Sequence, residues 1–429
     1  MAKKPMKIKR YHGYLGQRRS PVVTFFLMLV WAVVVATMVV IGIAIYEPVM
    51  NYISQRREDS SQESSSSLES SSPETSLESS SQPEEPEEVQ QQTLRAVYLA
   101  HSVLTDPVKR EEFLNNAVKN GATAVVVDIK NENGAVLHRS NVKTASNALA
   151  ISDVAVELGE TVEAIVQKGL RPVARIYAFE DSVASASLRR MACFYQNANL
   201  LWYDNDPSNG GRPWLNPYSQ EAQEYVLQLA AESGELGFEE VILAGLHFPR
   251  GYQLDNIYFG ENIPENGKAA VLEDIAGRIQ ERLEAMDVSM SVMIRALDIL
   301  EPNGFTYGEG NPLDRFQCTV YIDFTPAYLF NTFNNQYLFG GTALENGTAP
   351  QAVVKAAAGA VAPMLDKTRL ESGGYRAAFS CDTETGQLTA EEILQTAEEL
   401  TAGGMTDIFF SSAFSVYPDK ADYSAGLEK

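Results

Sequence analysis

Cysteine and histidine are scarce, with three and four residues among 429. Cys193, Cys318 and Cys381 are too few and odd in number for a disulfide framework. They read as three buried free thiols, with Cys318 opening one strand and Cys381 closing another at opposite ends of the fold. No group of His, Cys and acidic residues has the spacing of metal ligands, so neither metal nor cofactor is expected. A G-x-S-x-G elbow is missing, and so is a P-loop, which removes the common serine-hydrolase and nucleotide-binding readings. Basic residues are also short, 34 against 56 acidic ones, for a net charge of −22.

That charge is unevenly placed. Residues 1–19 carry seven basic side chains (Lys3, Lys4, Lys7, Lys9, Arg10, Arg18 and Arg19) and no acid, whereas 58–94 carry ten acids and no base. With Glu47, Arg56 and Arg57 also counted, residues 95–429 hold −20. A surface this acidic repels phosphate backbones and excludes nucleic acid as a partner. It suits a neutral substrate such as a sugar polymer.

The one long apolar run is residues 22–46, VVTFFLMLVWAVVVATMVVIGIAIY, 25 residues without a charge. About 20 apolar residues cross a bilayer, so the run is long enough to do so with tilt. It ends in Tyr46-Glu47-Pro48 rather than the small residues of a cleaved signal, so an uncleaved anchor is expected. The basic tail 1–21 places the N-terminus in the cytoplasm and everything beyond the anchor outside the cell. Residues 47–93 are Ser-, Glu-, Gln- and Pro-rich, with thirteen serines between 60 and 81. Such a stretch buries too little apolar surface to order itself, and its like charges extend it into a disordered stalk.

Residues 94–429 follow another rule: short, continuous apolar runs alternate with amphipathic stretches. Strands are expected at 96–100, 123–129, 172–178, 240–246, 288–294, 318–324, 375–380 and 406–411. Helices are expected at 107–120, 153–169, 219–236, 268–286, 350–366 and 389–403, the last with a Thr389/Glu392 capping box. Continuous runs mark parallel strands covered on both faces, and eight of them alternating with helices fit a (β/α)₈ barrel. A doubly wound sheet competes, but Ala100-His101-Ser102-Val103-Leu104 is no glycine-rich phosphate loop.

In such a barrel chemistry lies at the C-terminal strand ends. The candidate acids there are Asp128, Asp323 and Asp382. The candidate substrate-binding residues are Lys130, Arg175, Trp214, Asn216, His247 and Arg295. An acid inside Val320-Tyr-Ile-Asp-Phe324 needs either a chemical role or a basic partner, with Arg175, Arg295 and Arg376 in range. Asp128 beside Lys130 reads as a structural pair or an acid catalyst. Trp202, Tyr203 and Trp214 flank a polar loop and either face a sugar ring or pack beneath the loop.

Four segments carry a resemblance. They are Val126-Val127-Asp128-Ile129-Lys130-Asn131-Glu132-Asn133-Gly134, Pro172-Val173-Ala174-Arg175-Ile176-Tyr177-Ala178-Phe179, Trp214-Leu215-Asn216-Pro217-Tyr218, and Gly237-Phe238-Glu239-Glu240-Val241. In this order they resemble the bacterial putative glycoside-hydrolase domain family over roughly 95–420. The resemblance implies a (β/α)₈ barrel acting on cell-surface or cell-wall polysaccharide. It also implies catalytic acids on the fourth and fifth strands, and those positions hold Ala244 and Ser291. Glycoside hydrolysis needs two carboxyl groups, a proton donor and a nucleophile or base. Two readings stay open: a hydrolase with relocated acids, or a catalytically inactive barrel that binds glycans or a protein partner.

Overall fold

The computed structural model describes residues 93–261, 263, 267–383, 386–418 and 421–424. The basic tail, the 22–46 run and all but the last residue of 47–93 lie outside the described residues. Among the described residues no helix is long and apolar enough to cross a membrane.

Eight parallel strands close into a barrel: β1 (Arg95–Leu99), β2 (Ala124–Lys130), β3 (Arg171–Tyr177), β4 (Glu240–Ala244), β5 (Ser289–Arg295), β6 (Thr319–Asp323), β7 (Tyr375–Ser380) and β8 (Ile408–Ser411). Each pairs with its neighbours in chain order, and β1 pairs with both β2 and β8, which completes the ring. The (β/α)₈ expectation is therefore met. Six long helices accompany the strands: α1 (Pro107–Lys119), α2 (Gly159–Gln167), α3 (Gln220–Glu235), α4 (Gly267–Glu284), α5 (Pro350–Val361) and α6 (Ala390–Ala402). The Thr389/Glu392 capping box at α6 forms as read. Only a five-residue helix, Ala296–Leu300, follows β5 directly.

The expected helix at 153–169 is half wrong. Ile151–Val156 is a strand, parallel to Val136–His138, which itself pairs antiparallel with the end of β2. The β-branched Ile151, Val154 and Val156 favour a pleated edge, and the helix begins only at Gly159.

The strands are apolar on both faces, and the period of two sorts their side chains. One set, which includes Val97, Val127, Ile176, Leu243, Ile294, Ile322 and Phe410, packs outward into the main core with the helices. The other set fills the barrel: Ala96, Val126, Val173, Ile242, Met293, Tyr321, Ala378 and Phe409. The three cysteines are buried and free, Cys318 just before β6 and Cys381 just after β7.

Candidate functional site

Counting along each strand from the interior set gives the residues that face inward at the C-terminal mouth. They are Tyr98 on β1, Asp128 on β2, Arg175 and Tyr177 on β3, Ala244 on β4, Arg295 on β5 and Asp323 on β6. Ala244 is 3 % exposed and pairs in register with Tyr177.

Asp128 and Arg175 are register partners on β2 and β3. Arg175 Nε and Nη2 reach Asp128 Oδ1 and Oδ2 at 2.6 and 3.1 Å, and Tyr98 donates its hydroxyl to Oδ2 at 2.8 Å. The Arg175 guanidinium also lies 4.8, 5.2 and 5.5 Å from the ring centres of Tyr98, Tyr177 and Phe409. Asp128 is thus the anchor of a buried cluster below the mouth and is saturated.

Lys130 does not pair with Asp128. A bulge between these two residues breaks the alternation of β2 and sends Lys130 toward α3 instead. There its ammonium is wholly buried, 2.7 Å from Asp181 Oδ2 and 2.9 Å from the Ala178 carbonyl, with the Tyr225 ring 5.1 Å away. It cannot touch a substrate. Asn216 is likewise internal: its amide nitrogen donates to the Phe259 carbonyl at 2.8 Å and its oxygen accepts from the Tyr218 amide at 3.0 Å. Asp382 holds the segment after β8, accepting from Ser412 Oγ at 3.0 Å and the Ala413 amide at 2.6 Å. Trp202 and Trp214 are buried in a small core with Cys193 and Ile257, so they pack beneath the loop. Trp214 Nε1 donates to Asp204 Oδ2 at 3.0 Å.

What remains at the mouth is a smaller set than the sequence offered, plus one residue it did not. Glu180, three residues beyond β3, faces a cavity of about 200 Å³ lined also by Glu132, Arg212, Trp214, Arg250 and Arg295. Its Oε1 lies 3.4 Å from His247 Nε2 and 3.8 Å from Arg295 Nη2. Burial would raise its pKa, but the charges of Arg295 and Arg250 outweigh burial and hold it below the ordinary carboxylate range. Glu180 is an ionised carboxylate.

His247 is neutral. Burial and the Arg250 charge lower its pKa, only partly opposed by Glu180. Arg250 Nη2, which can only donate, sits 2.5 Å from Nε2 and 3.0 Å from Asp298 Oδ2. The ring proton is therefore on Nδ1, which donates to the Phe248 carbonyl at 2.7 Å. The ring is wedged between Trp214 and Tyr307, with centroids 5.5 and 5.4 Å away.

Asp323 behaves oppositely to Glu180. Its carboxylate accepts from the Thr325 amide at 2.9 Å. Burial pushes its pKa up, and the Thr325 bonds with the charges of Arg295 and Arg175 only partly oppose this. Arg295 lies between the two acids in electrostatic terms, with its guanidinium 3.9 Å from the centre of the Tyr328 ring.

A larger cavity, about 720 Å³, opens at the other, N-terminal end of the barrel, where Thr93, Arg171, Arg376 and Asp407 line it. Ser291 belongs to that end. It lies in the first half of β5, 1 % exposed, and donates to Glu240 Oε1 at 2.5 Å. The position is not a mouth position, so the serine there removes no acid from the catalytic face.

All four motif segments fall inside the stretch that matches one family model. Residues 96–307 carry the putative glycosyl hydrolase domain. Among solved structures, the glycoside hydrolase domain of PgaB (BpsB) from Bordetella bronchiseptica is similar in fold, with a TM-score of 0.50 and 13 % identity over 77 % of this chain and 94 % of that one. A hypothetical protein from Ruminiclostridium thermocellum shares 22 % identity over 46 % of this chain and 96 % of its own, at a TM-score of 0.41. The catalytic domain of a Paenibacillus polymyxa beta-amylase shares 12 % over 76 % and 93 %, at 0.44. No curated protein matches the chain. Within the glycosyl hydrolase domain, Glu180 lay one residue past the β3 segment that signalled the family. Its position after a strand of the motif was the available clue.

Proposed function

We propose that this chain hydrolyses cell-surface polysaccharide at the barrel mouth, with Asp323 as the proton donor and Glu180 as the nucleophile or base. The observation that carries this is the place of Arg295, which stands 3.8 Å from Glu180 and is the register partner of Asp323 on the next strand, so that it brings two acids of opposite electrostatic setting to one side of the mouth. A pair of carboxyl groups whose surroundings push their pKa values apart supplies both halves of glycosidic chemistry. Asp323, with its pKa raised by burial, is the acid placed to give a proton to the leaving oxygen. Glu180 stays charged to attack the anomeric carbon or to take a proton from water. Arg295, through its approach to Glu180, positions that carboxylate, and neutral His247 can donate nothing through Nε2 while Arg250 occupies it.

The second reading, an inactive glycan-binding barrel, draws on Ala244, which stands at the C-terminal end of β4 where the family resemblance implies an acid. In either case we assign residues 22–46 as a single membrane span, with the N-terminus cytoplasmic and the barrel outside the cell. This assignment rests on the length of the apolar run and on the basic residues before it.

The deciding experiment incubates the detergent-solubilised full chain with purified cell-wall and capsular polysaccharides, scoring retained polymer and released reducing ends separately. Release lost in both Glu180→Gln and Asp323→Asn supports the hydrolase. Binding with no release in the unaltered chain supports the inactive barrel.

A further inference from the structure

Two short strands, Phe194–Tyr195 and Ile257–Tyr258, form an antiparallel ribbon. The segment that leaves it carries Asp204, Arg212 and Trp214 to the mouth cavity. Its two faces differ. Ile257 belongs to the small core of Cys193, Trp202 and Trp214, and Tyr195 packs against that core. By the period of two, Phe194 and Tyr258 fall on the opposite face, where Tyr258 is 41 % exposed.

Phe194 and Tyr258 are direct cross-strand partners. Such partners ordinarily bring their rings together. Here they make no ring contact with each other, and both line a cavity of about 530 Å³. The back of this site is fixed. Arg189 stands 5.0 Å from the Phe194 ring centre and donates to the Asn199 carbonyl at 3.0 Å and to its Oδ1 at 3.2 Å. The Gln196 amide donates to the Asn256 carbonyl at 2.7 Å. The front is open: Gln196 and Asn197 are exposed, and their side-chain amides make no hydrogen bond among the described residues. No ionised side chain lines the cavity, in contrast to the mouth.

Two aromatic rings and exposed amides lining one cavity match the chemistry of a neutral sugar. The rings cover the apolar C–H face and the amides meet the hydroxyls in both donor and acceptor roles. We propose that the Phe194/Tyr258 face is a surface subsite for uncharged sugar units of a polysaccharide, separate from the barrel mouth. This rests on the glycan-processing reading of the mouth. The connecting segment offers one polymer two points of attachment, so even a weak subsite raises retention of a long chain more than that of a short one.

The test is affinity electrophoresis of the detergent-solubilised full chain through gels holding hydroxyethyl cellulose, xylan or pullulan, beside release assays on wall polysaccharide. The subsite requires retardation by at least one of these neutral polymers. Phe194→Ala and Tyr258→Ala should weaken it roughly fivefold or more. Tyr258→Phe, which keeps the ring, should retain it, and so should Glu180→Gln at the mouth. Asn197→Gly provides a second variant, since Asn197 already has φ of 62° and glycine takes that conformation without strain. It should weaken retardation by removing one amide. Unchanged retardation in folded Ala and Gly variants overturns the subsite. Release of wall sugar without retardation by any polymer also overturns it while leaving the mouth reading standing. Neither release nor retardation sinks both.

Discussion

Ser291 donates to Glu240 across neighbouring strands in the N-terminal half of the barrel, away from the mouth. Glu240 is fully buried and also meets Arg376 Nη1 at 2.8 and 2.9 Å, Arg171 at 3.4 Å and the Tyr321 hydroxyl at 3.2 Å. With Asp407, which holds Arg376 Nε at 3.0 Å, two acids face two guanidinium groups, and these residues work for the fold.

Glu240→Gln should therefore destabilise the domain by about 1–3 kcal/mol, because Arg376 loses one of its two carboxylate partners and keeps only Asp407. Burial would raise the Glu240 pKa, but the charges of Arg376 and Arg171 with the Ser291 bond hold it below the ordinary value of 4.5. The contribution is thus fully present above that value and is lost as pH falls through the lower folded pKa. Denaturant titrations at neutral pH and at successively more acid pH measure this. A difference between wild type and variant that stays constant into the acid range would contradict it.

At the mouth, Glu180→Gln and Asp323→Asn should each cut polysaccharide hydrolysis by roughly 10²–10⁴-fold. The pH profile should be bell-shaped, with the acid limb set by protonation of Glu180 and the alkaline limb by ionisation of Asp323. In Asp323→Asn the alkaline limb should disappear from any residual activity.

The same variant should gain stability. The folded pKa of Asp323 is raised by burial, so ionising it costs the native state as pH climbs above the unfolded value of 3.8. A neutral asparagine avoids that cost, and Asp323→Asn should melt higher than wild type at pH 7. A lower melting temperature would mean that Asp323 serves the fold.

Lys130→Met should cost about 3–5 kcal/mol, by leaving Asp181 buried without its cation. Lys130→Met with Asp181→Leu should recover much of that loss, read by the same denaturant midpoints. Gly134 guards this pair. At φ of 94°, a Cβ there would stand 2.0 Å from Asp181 Oδ1, so Gly134→Ala should cost at least about 1–3 kcal/mol and loosen Lys130 with it.

The eight strands were legible because parallel barrel strands are covered on both sides and read as unbroken apolar runs. The added edge strand at Ile151–Val156 was not, since its apolar residues suit a helix face as well as a pleat. Among the site residues, Asp323, Arg175, His247 and Arg295 reached the mouth region as their strand ends foretold. Lys130 did not, because a single bulge re-aims a side chain and leaves no trace in residue type. Glu180 was hidden for a different reason. A glutamate just past a strand is unremarkable until His247, Arg250 and Arg295, distant in sequence, gather around it.

The interior layer of Tyr321, Phe409, Met293 and their neighbours, capped by the Asp128–Arg175 salt bridge, has one more consequence. It leaves no passage between the mouth and the cavity at the other end. A polymer cannot thread the barrel. A polymer taken at the mouth, as proposed above, would lie across the rim and enter and leave from the same side.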